Sequence, residues 1–161
     1  AAASGPMAEV ISNSTQHMKD EDLRAIGVYL LSQKAGLKSP EPVSPKDEAM
    51  KLGQQVYTVN CSACHMANGE GVPKMFPSLK GGGSVLADDP TTLLRVVLRG
   101  AQAVSTDAAP TGPSMPAFAW RLSDKEAAAV ATFVRNSWGN AAAPVSTSDV
   151  AKSRKSANSP E

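Results

Sequence analysis

The chain has 161 residues, of which 16 are basic and 15 acidic, giving a formal charge of +1, and only 4% are aromatic. That length supplies one core with flanking segments but not two full domains, and near-neutral charge without Lys and Arg interleaved among aromatics excludes nucleic acid as a partner. No stretch reaches the roughly 20 apolar residues that span a bilayer, and Ala1-Ala2-Ala3-Ser4-Gly5-Pro6 lacks a charged-then-apolar signal pattern, so the chain reads as soluble and as mature or trimmed.

In chain order, an amphipathic helix with an acidic first turn is predicted around His17-Met18-Lys19-Asp20-Glu21-Asp22-Leu23-Arg24-Ala25-Ile26, and Ser39-Pro40-Glu41-Pro42-Val43-Ser44-Pro45 reads as a semi-rigid linker. Ser44 is the expected cap of the next helix, with Pro45 and Asp47 in its first turn and Ala49, Leu52, Gly53, Val56 and Asn60 on one face. Asp89-Pro90 opens a second helix with an apolar stripe of Leu93, Leu94, Val97 and Leu98, stopped by Gly100. Ser123 and Glu126 form a capping box for a third, with Leu122 placed to staple onto Ala127, an inner face of Ala127, Val130, Ala131, Val134 and Trp138, and a stop at Gly139. The segments 66–88 and 101–122 between these helices are rich in Gly and Pro and show no strand alternation; loops of that length belong in a compact domain when they wrap a ligand. Residues 141–161, with little to bury, read as a disordered tail.

The segment from His17 to Ile26 resembles the segment from Arg121 to Val130, the match continues as Tyr29-Leu30 against Phe133-Val134, and Gly5-Pro6-Met7 parallels Gly112-Pro113-Ser114-Met115. This is an internal repeat. The expected organisation is therefore the back end of a similar preceding domain at 1–36, a linker at 37–45, a complete domain at 46–140 and the tail at 141–161.

Cys61-Ser62-Ala63-Cys64-His65 is the C-x-x-C-H pattern of covalent haem attachment. At a helix end, two thiols three positions apart can form thioethers with the two porphyrin vinyl groups, and the adjacent imidazole is held against the iron. A thioredoxin-like pair would follow a strand; a disulfide would leave the histidine without a role; zinc needs further ligands, and the only other histidine is His17. Among the six methionines, Met66 adjoins His65, Met50 and Met18 sit in or beside helices, and Met75 comes early in its loop, whereas Met115 lies late, between Pro113 and Pro116 in a stiffened strap. Met115 is the candidate sixth ligand, and a thioether there favours ferrous iron. Pro77 is the candidate carbonyl acceptor for the other ring proton of His65; Arg95, Arg99, Arg121 and Trp120 are candidate haem contacts.

The pattern Gly53-x-x-x-Tyr57-x-x-x-Cys61-x-x-Cys64-His65, with Gly69-x-Gly71-x-Pro73, Phe76-Pro77-Ser78-Leu79, Met115-Pro116-Ala117-Phe118-x-Trp120 and the run from Phe133 to Asn140, resembles class I cytochrome c domains. More narrowly it resembles the multi-haem (triheme) cytochrome subunits of bacterial membrane-bound dehydrogenases. The resemblance implies an all-α fold around one covalent haem c, in a cleft between the first and third helices where Gly53 permits their close crossing, and an electron-transfer rather than enzymatic role. It implies a catalytic dehydrogenase as partner, a flavin-dependent sugar dehydrogenase in preference to a quinoprotein alcohol dehydrogenase, with ubiquinone or another acceptor downstream. The implied location is the periplasm, peripheral to the outer face of the inner membrane. Met7 resembles the ligand of a preceding haem that this chain does not contain. A peroxidase or ligand sensor with an open sixth position is the alternative, and a redox-inert disulfide module a third.

Overall fold

The structure is a computed structural model that describes residues 6–33, 40–108 and 110–157; the Gly5 of the repeat and the expected boundary between remnant and linker at 36–37 lie outside the described residues. It divides into two compact units, one of residues 39–101 and 114–161, the other of 2–38 and 102–113.

The larger unit is built on α3 (Glu48–Asn60), α6 (Thr91–Arg99), α7 (Asp124–Arg135) and α8 (Thr147–Ala157), with two short helices, α4 (Ser62–His65) and α5 (Gly83–Leu86). The expected all-α class holds: among the described residues the only sheet is the two-stranded ribbon of β1 (Ala101–Gln102) and β2 (Ser114–Met115). Asp47, rather than Ser44, caps α3, accepting from the Ala49 amide at 2.8 Å. The expected capping box of α7 forms, with Ser123 and Glu126 bonded reciprocally. That helix ends at Arg135, short of the expected stop, because Asn136 leaves helical geometry at φ −130° and ψ 16°.

α3 and α7 cross in direct contact. A Cβ on Gly53 would fall on the Ala129 carbonyl oxygen and lie 2.6 Å from Phe133 Cβ, so only glycine lets the backbones approach this far. The first and third long helices thus meet in the close crossing expected at Gly53. Leu94, Leu98, Leu122, Val130 and Val134 continue the core.

Two further expectations need correction. The segments 66–88 and 101–122 are not wholly irregular: α5, an antiparallel bridge between Val72 and Phe76, and the β1–β2 ribbon interrupt them. Nor is 141–161 a disordered tail, since α8 is part of the core, with Val145, Val150 and Ser153 buried and Val150 fully so at 0% exposure. Ser146 and Asp149 bond reciprocally at its start, amide to carboxylate at 3.0 Å and amide to hydroxyl at 3.2 Å. Arg154 then donates to the Ala119 and Leu122 carbonyls at 2.7 and 2.5 Å and to Asp124 at 2.7 Å. Ala142, Val145 and Val150 are all buried, which composition alone does not reveal.

The smaller unit holds α1 (Pro6–Asn13), a single 3-10 turn (Thr15–His17) and α2 (Asp20–Ser32). α2 and α7 start at Asp20 and Asp124, aligned positions of the repeat, yet no residue of α2 is buried. Met7 lies in α1 and is 56% exposed, whereas its counterpart Met115 is in a strand.

Candidate haem site

The last turn of α3 runs directly into the cysteine motif. The Tyr57 carbonyl accepts from the Cys61 amide at 2.9 Å, and the Cys61 carbonyl accepts from the amides of Cys64 and His65 at 3.2 and 3.0 Å. Both thiols and the imidazole therefore sit on one continuous helical path. It stops at Met66, whose φ is 61° and whose carbonyl accepts from the Tyr57 hydroxyl at 2.6 Å. Burial, with a contribution from Cys61, pushes the Tyr57 phenol up to about 12, so it stays a donor in that bond.

Cys61 is half-buried, Cys64 is exposed, and both are free thiols. Burial and the neighbouring Cys64 push the Cys61 thiol up to about 11. A dithiol redox pair needs the opposite shift. Among the described residues no group of three His, Cys, Asp or Glu side chains converges as a metal site of its own, which weighs against zinc.

His65 is buried, at 7% exposure, and its Nδ1 lies 3.0 Å from the Pro77 carbonyl oxygen. A carbonyl can only accept, so Nδ1 carries the proton, and in the neutral ring Nε2 keeps its lone pair for a metal. That tautomer, beside two free thiols at thioether spacing, fits a covalently attached haem iron.

The loop bearing Pro77 is closely held. The Gly69 carbonyl accepts from the Leu79 amide at 2.8 Å and the His65 carbonyl from the Gly71 amide at 3.1 Å. The Trp138 indole lies where a Cβ on Gly69 would project, and it joins Tyr57 and Phe133 in a cluster with ring centroids 5.0–5.5 Å apart. Asn140, Arg135 and Asn136 tie further strands of chain to the end of α7. The Arg135 guanidinium donates to the carbonyls of Val85, Ala87 and Ala143 at 2.8, 2.8 and 2.9 Å, and the Asn136 side-chain oxygen accepts from the Val43 amide at 3.0 Å. Sequence reading missed these roles; the run from Phe133 to Asn140 was visible as distinctive, but nothing local says that its polar side chains reach distant carbonyls.

Met115, half-buried in β2, lies on a strap clamped to the end of α6. The Val97 and Leu98 carbonyls accept from the Phe118 and Ala119 amides at 3.0 and 3.1 Å. Gly100, at φ 76°, leaves room for the strap, because a Cβ there would collide with the Met115 carbonyl oxygen. Of the other candidates, Arg95 and Arg99 are exposed on α6, Trp120 is 80% exposed, and Arg121 donates to the Asn60 side chain at 2.5 Å. Two surface hollows, one edged by Glu48, Leu52 and Lys125 and one by Val59, Asn60 and Arg121, include none of the motif residues. Donor chemistry, not concavity, marks the site.

An all-helical domain with C-x-x-C-H at the end of its first long helix, a carbonyl-oriented histidine and a proline-flanked methionine strap is a c-type haem protein. Residues 50–138 match the cytochrome c family, and the chain belongs to it. It is 42% identical over 163 residues to the cytochrome c subunit of the quinone alcohol dehydrogenase of Gluconobacter oxydans, covering 95% of this chain and 34% of that relative. It is 38% identical over 165 residues to the cytochrome c subunit of gluconate 2-dehydrogenase from Pantoea cypripedii, covering 96% and 37%. To cytochrome c-552 of Thermus thermophilus it is 34% identical over 93 residues, 55% of this chain and 70% of that protein. The chain thus spans about a third of the length of the dehydrogenase subunits it matches. A cytochrome c domain carries covalent haem c through its C-x-x-C-H cysteines and moves electrons rather than catalysing a substrate reaction.

Proposed function

We propose that this chain relays single electrons from a catalytic dehydrogenase subunit towards ubiquinone or another acceptor, through one haem held by Cys61 and Cys64 with His65 and Met115 as axial ligands. The observation that carries the reading is the 3.0 Å bond from His65 Nδ1 to the Pro77 carbonyl, which presents the ring's other nitrogen as a ligand. When bound, the haem supplies the one-electron chemistry. The chain's residues anchor it, orient the imidazole and bring a thioether strap, clamped on α6, to complete the iron's coordination.

Relatives named for alcohol, gluconate and fructose dehydrogenases support a dehydrogenase as electron donor, of either the flavin-dependent sugar type or the quinoprotein alcohol type. Periplasmic placement, at the outer face of the inner membrane, follows from that assembly; among the described residues no helix is long and apolar enough to cross a membrane itself. Residues 1–36 are proposed as the back end of a preceding haem domain. Supporting this, α2 occupies the repeat position of α7 but leaves Ile26, Tyr29 and Leu30 exposed where Val130 and Val134 of α7 are buried.

Visible spectra of the oxidised and reduced protein, with the denatured intact mass, test this function. A mass increase of one haem with a sharp reduced α-band and the weak near-infrared band of methionine-to-iron ligation is expected. Haem without that band, with rapid carbon monoxide binding at neutral pH, would favour an open-site sensor or peroxidase. A chain matured in a haem-attaching host yet carrying no haem would overturn the proposal.

A further inference from the structure

Asn140 lies outside every helix, five residues beyond the end of α7, and is only 3% exposed. Its side chain is fully used. Nδ2 donates to the Leu79 carbonyl at 3.0 Å and to the Val134 carbonyl at 2.8 Å, while Oδ1 accepts from the Gly81 amide at 2.9 Å. Two of these partners, Leu79 and Gly81, lie in the segment that follows Pro77, and the third is in α7. One buried amide therefore fastens the Pro77 loop to the helix that crosses α3, the helix leading into the cysteines.

We propose that Asn140 is a positioning residue for the proximal ligand: by holding Leu79 and Gly81 it sets the bond between the Pro77 carbonyl and His65 Nδ1, and through that bond the reduction potential of the iron. The chemistry is specific to asparagine. The site needs two donors aimed at carbonyls and one acceptor aimed at an amide, a set that aspartate lacks and that serine is too short to span. A carbonyl accepting the Nδ1 proton makes the imidazole a stronger donor to a metal, which favours ferric iron and keeps the potential lower than a loosely held ring would.

The proposal rests on His65 as an iron ligand, and the experiment reads that separately. On the haem-loaded full chain, nuclear magnetic resonance of the strongly shifted ring protons of a ligating histidine establishes ligation, and solvent exchange of its Nδ1 proton reports the Pro77 bond. Asn140→Ala is expected to speed that exchange by about fivefold, the loss of roughly one net hydrogen bond, and to raise the reduction potential. Thr132→Val is the comparison. It removes an equally buried hydroxyl that ties α7 to Val145, and it should lower thermal stability while leaving exchange and potential where they were. If Asn140→Ala does not fold, Asn140→Asp keeps the acceptor for Gly81 and turns both carbonyl contacts repulsive, and it is read in the same way. Ligand-shifted His65 signals with unchanged exchange and potential in the Asn140 variant would overturn the role of Asn140 alone. Absence of those signals in the parent protein would instead remove the ligand assignment.

Discussion

Cys61, Cys64 and His65 do their work within five consecutive residues, which is why their role is legible without a structure. The i-to-i+3 spacing and the i+4 bond from the His65 amide to the Cys61 carbonyl are properties of one helical turn. The proposed ligand Met115 is a different case, because a strap's destination depends on what it crosses. Met115→Ala should lower the reduction potential and open the iron to carbon monoxide, seen as a rapid spectral change on gas addition at neutral pH. An unchanged potential and spectrum would take Met115 out of the ligand set. Pro77 could be named as an acceptor from its position after the motif, but the reach of Asn140 could not, since two of its three partners stand 59 and 61 residues away in the chain.

Caps and crossings belong to the element. The start of α7 was readable because a capping box needs only four residues, Ser123 to Glu126, and the same signal at Ser146 and Asp149 marks α8. The carboxylates at three helix starts, Asp89, Glu126 and Asp149, are held below the usual carboxylate range, in each case chiefly by side-chain hydrogen bonds from Thr91, Ser123 and Ser146. A depressed folded value contributes stability that is present above the unfolded value, about 4, and is lost as pH falls through the folded one. Urea midpoints should therefore drop on acidification below about pH 4, and Glu126→Gln should shrink that drop. All three groups are exposed, so the drop is modest. The crossing of α3 on α7 is more demanding. Gly53→Val should cost about 3 kcal/mol or more, measured as a fall in thermal midpoint, because the atoms a side chain would meet include the Ala129 backbone, which has no rotamer with which to yield.

For the whole molecule, the decisive element is α8. Val150 is fully buried in the core it shares with Leu94 and Val130, so Val150→Ala should cost about 2 kcal/mol for two lost methyl contacts, read from urea unfolding. Removing residues 141–161 should cost considerably more, since it also strips the Arg135 bond to Ala143, the Thr132 bonds to Val145 and the three contacts of Arg154. A truncated chain as stable as the parent would return this segment to the status of a tail.

Sequence alone determined what is local: the haem-attachment motif, the capping box of α7, the stop of α6 at Gly100, and an internal repeat whose two helices begin at matching residues. These depend on neighbours within a turn or two, so their physics is written into short patterns. Tertiary structure decided the rest. It gave α8 a core position, and sent Arg135, Asn136 and Asn140 to carbonyls and amides far along the chain. Whether a sparse apolar residue or a lone polar side chain is buried depends on the surface the fold brings to it, and that surface comes from residues with no fixed spacing to the one in question.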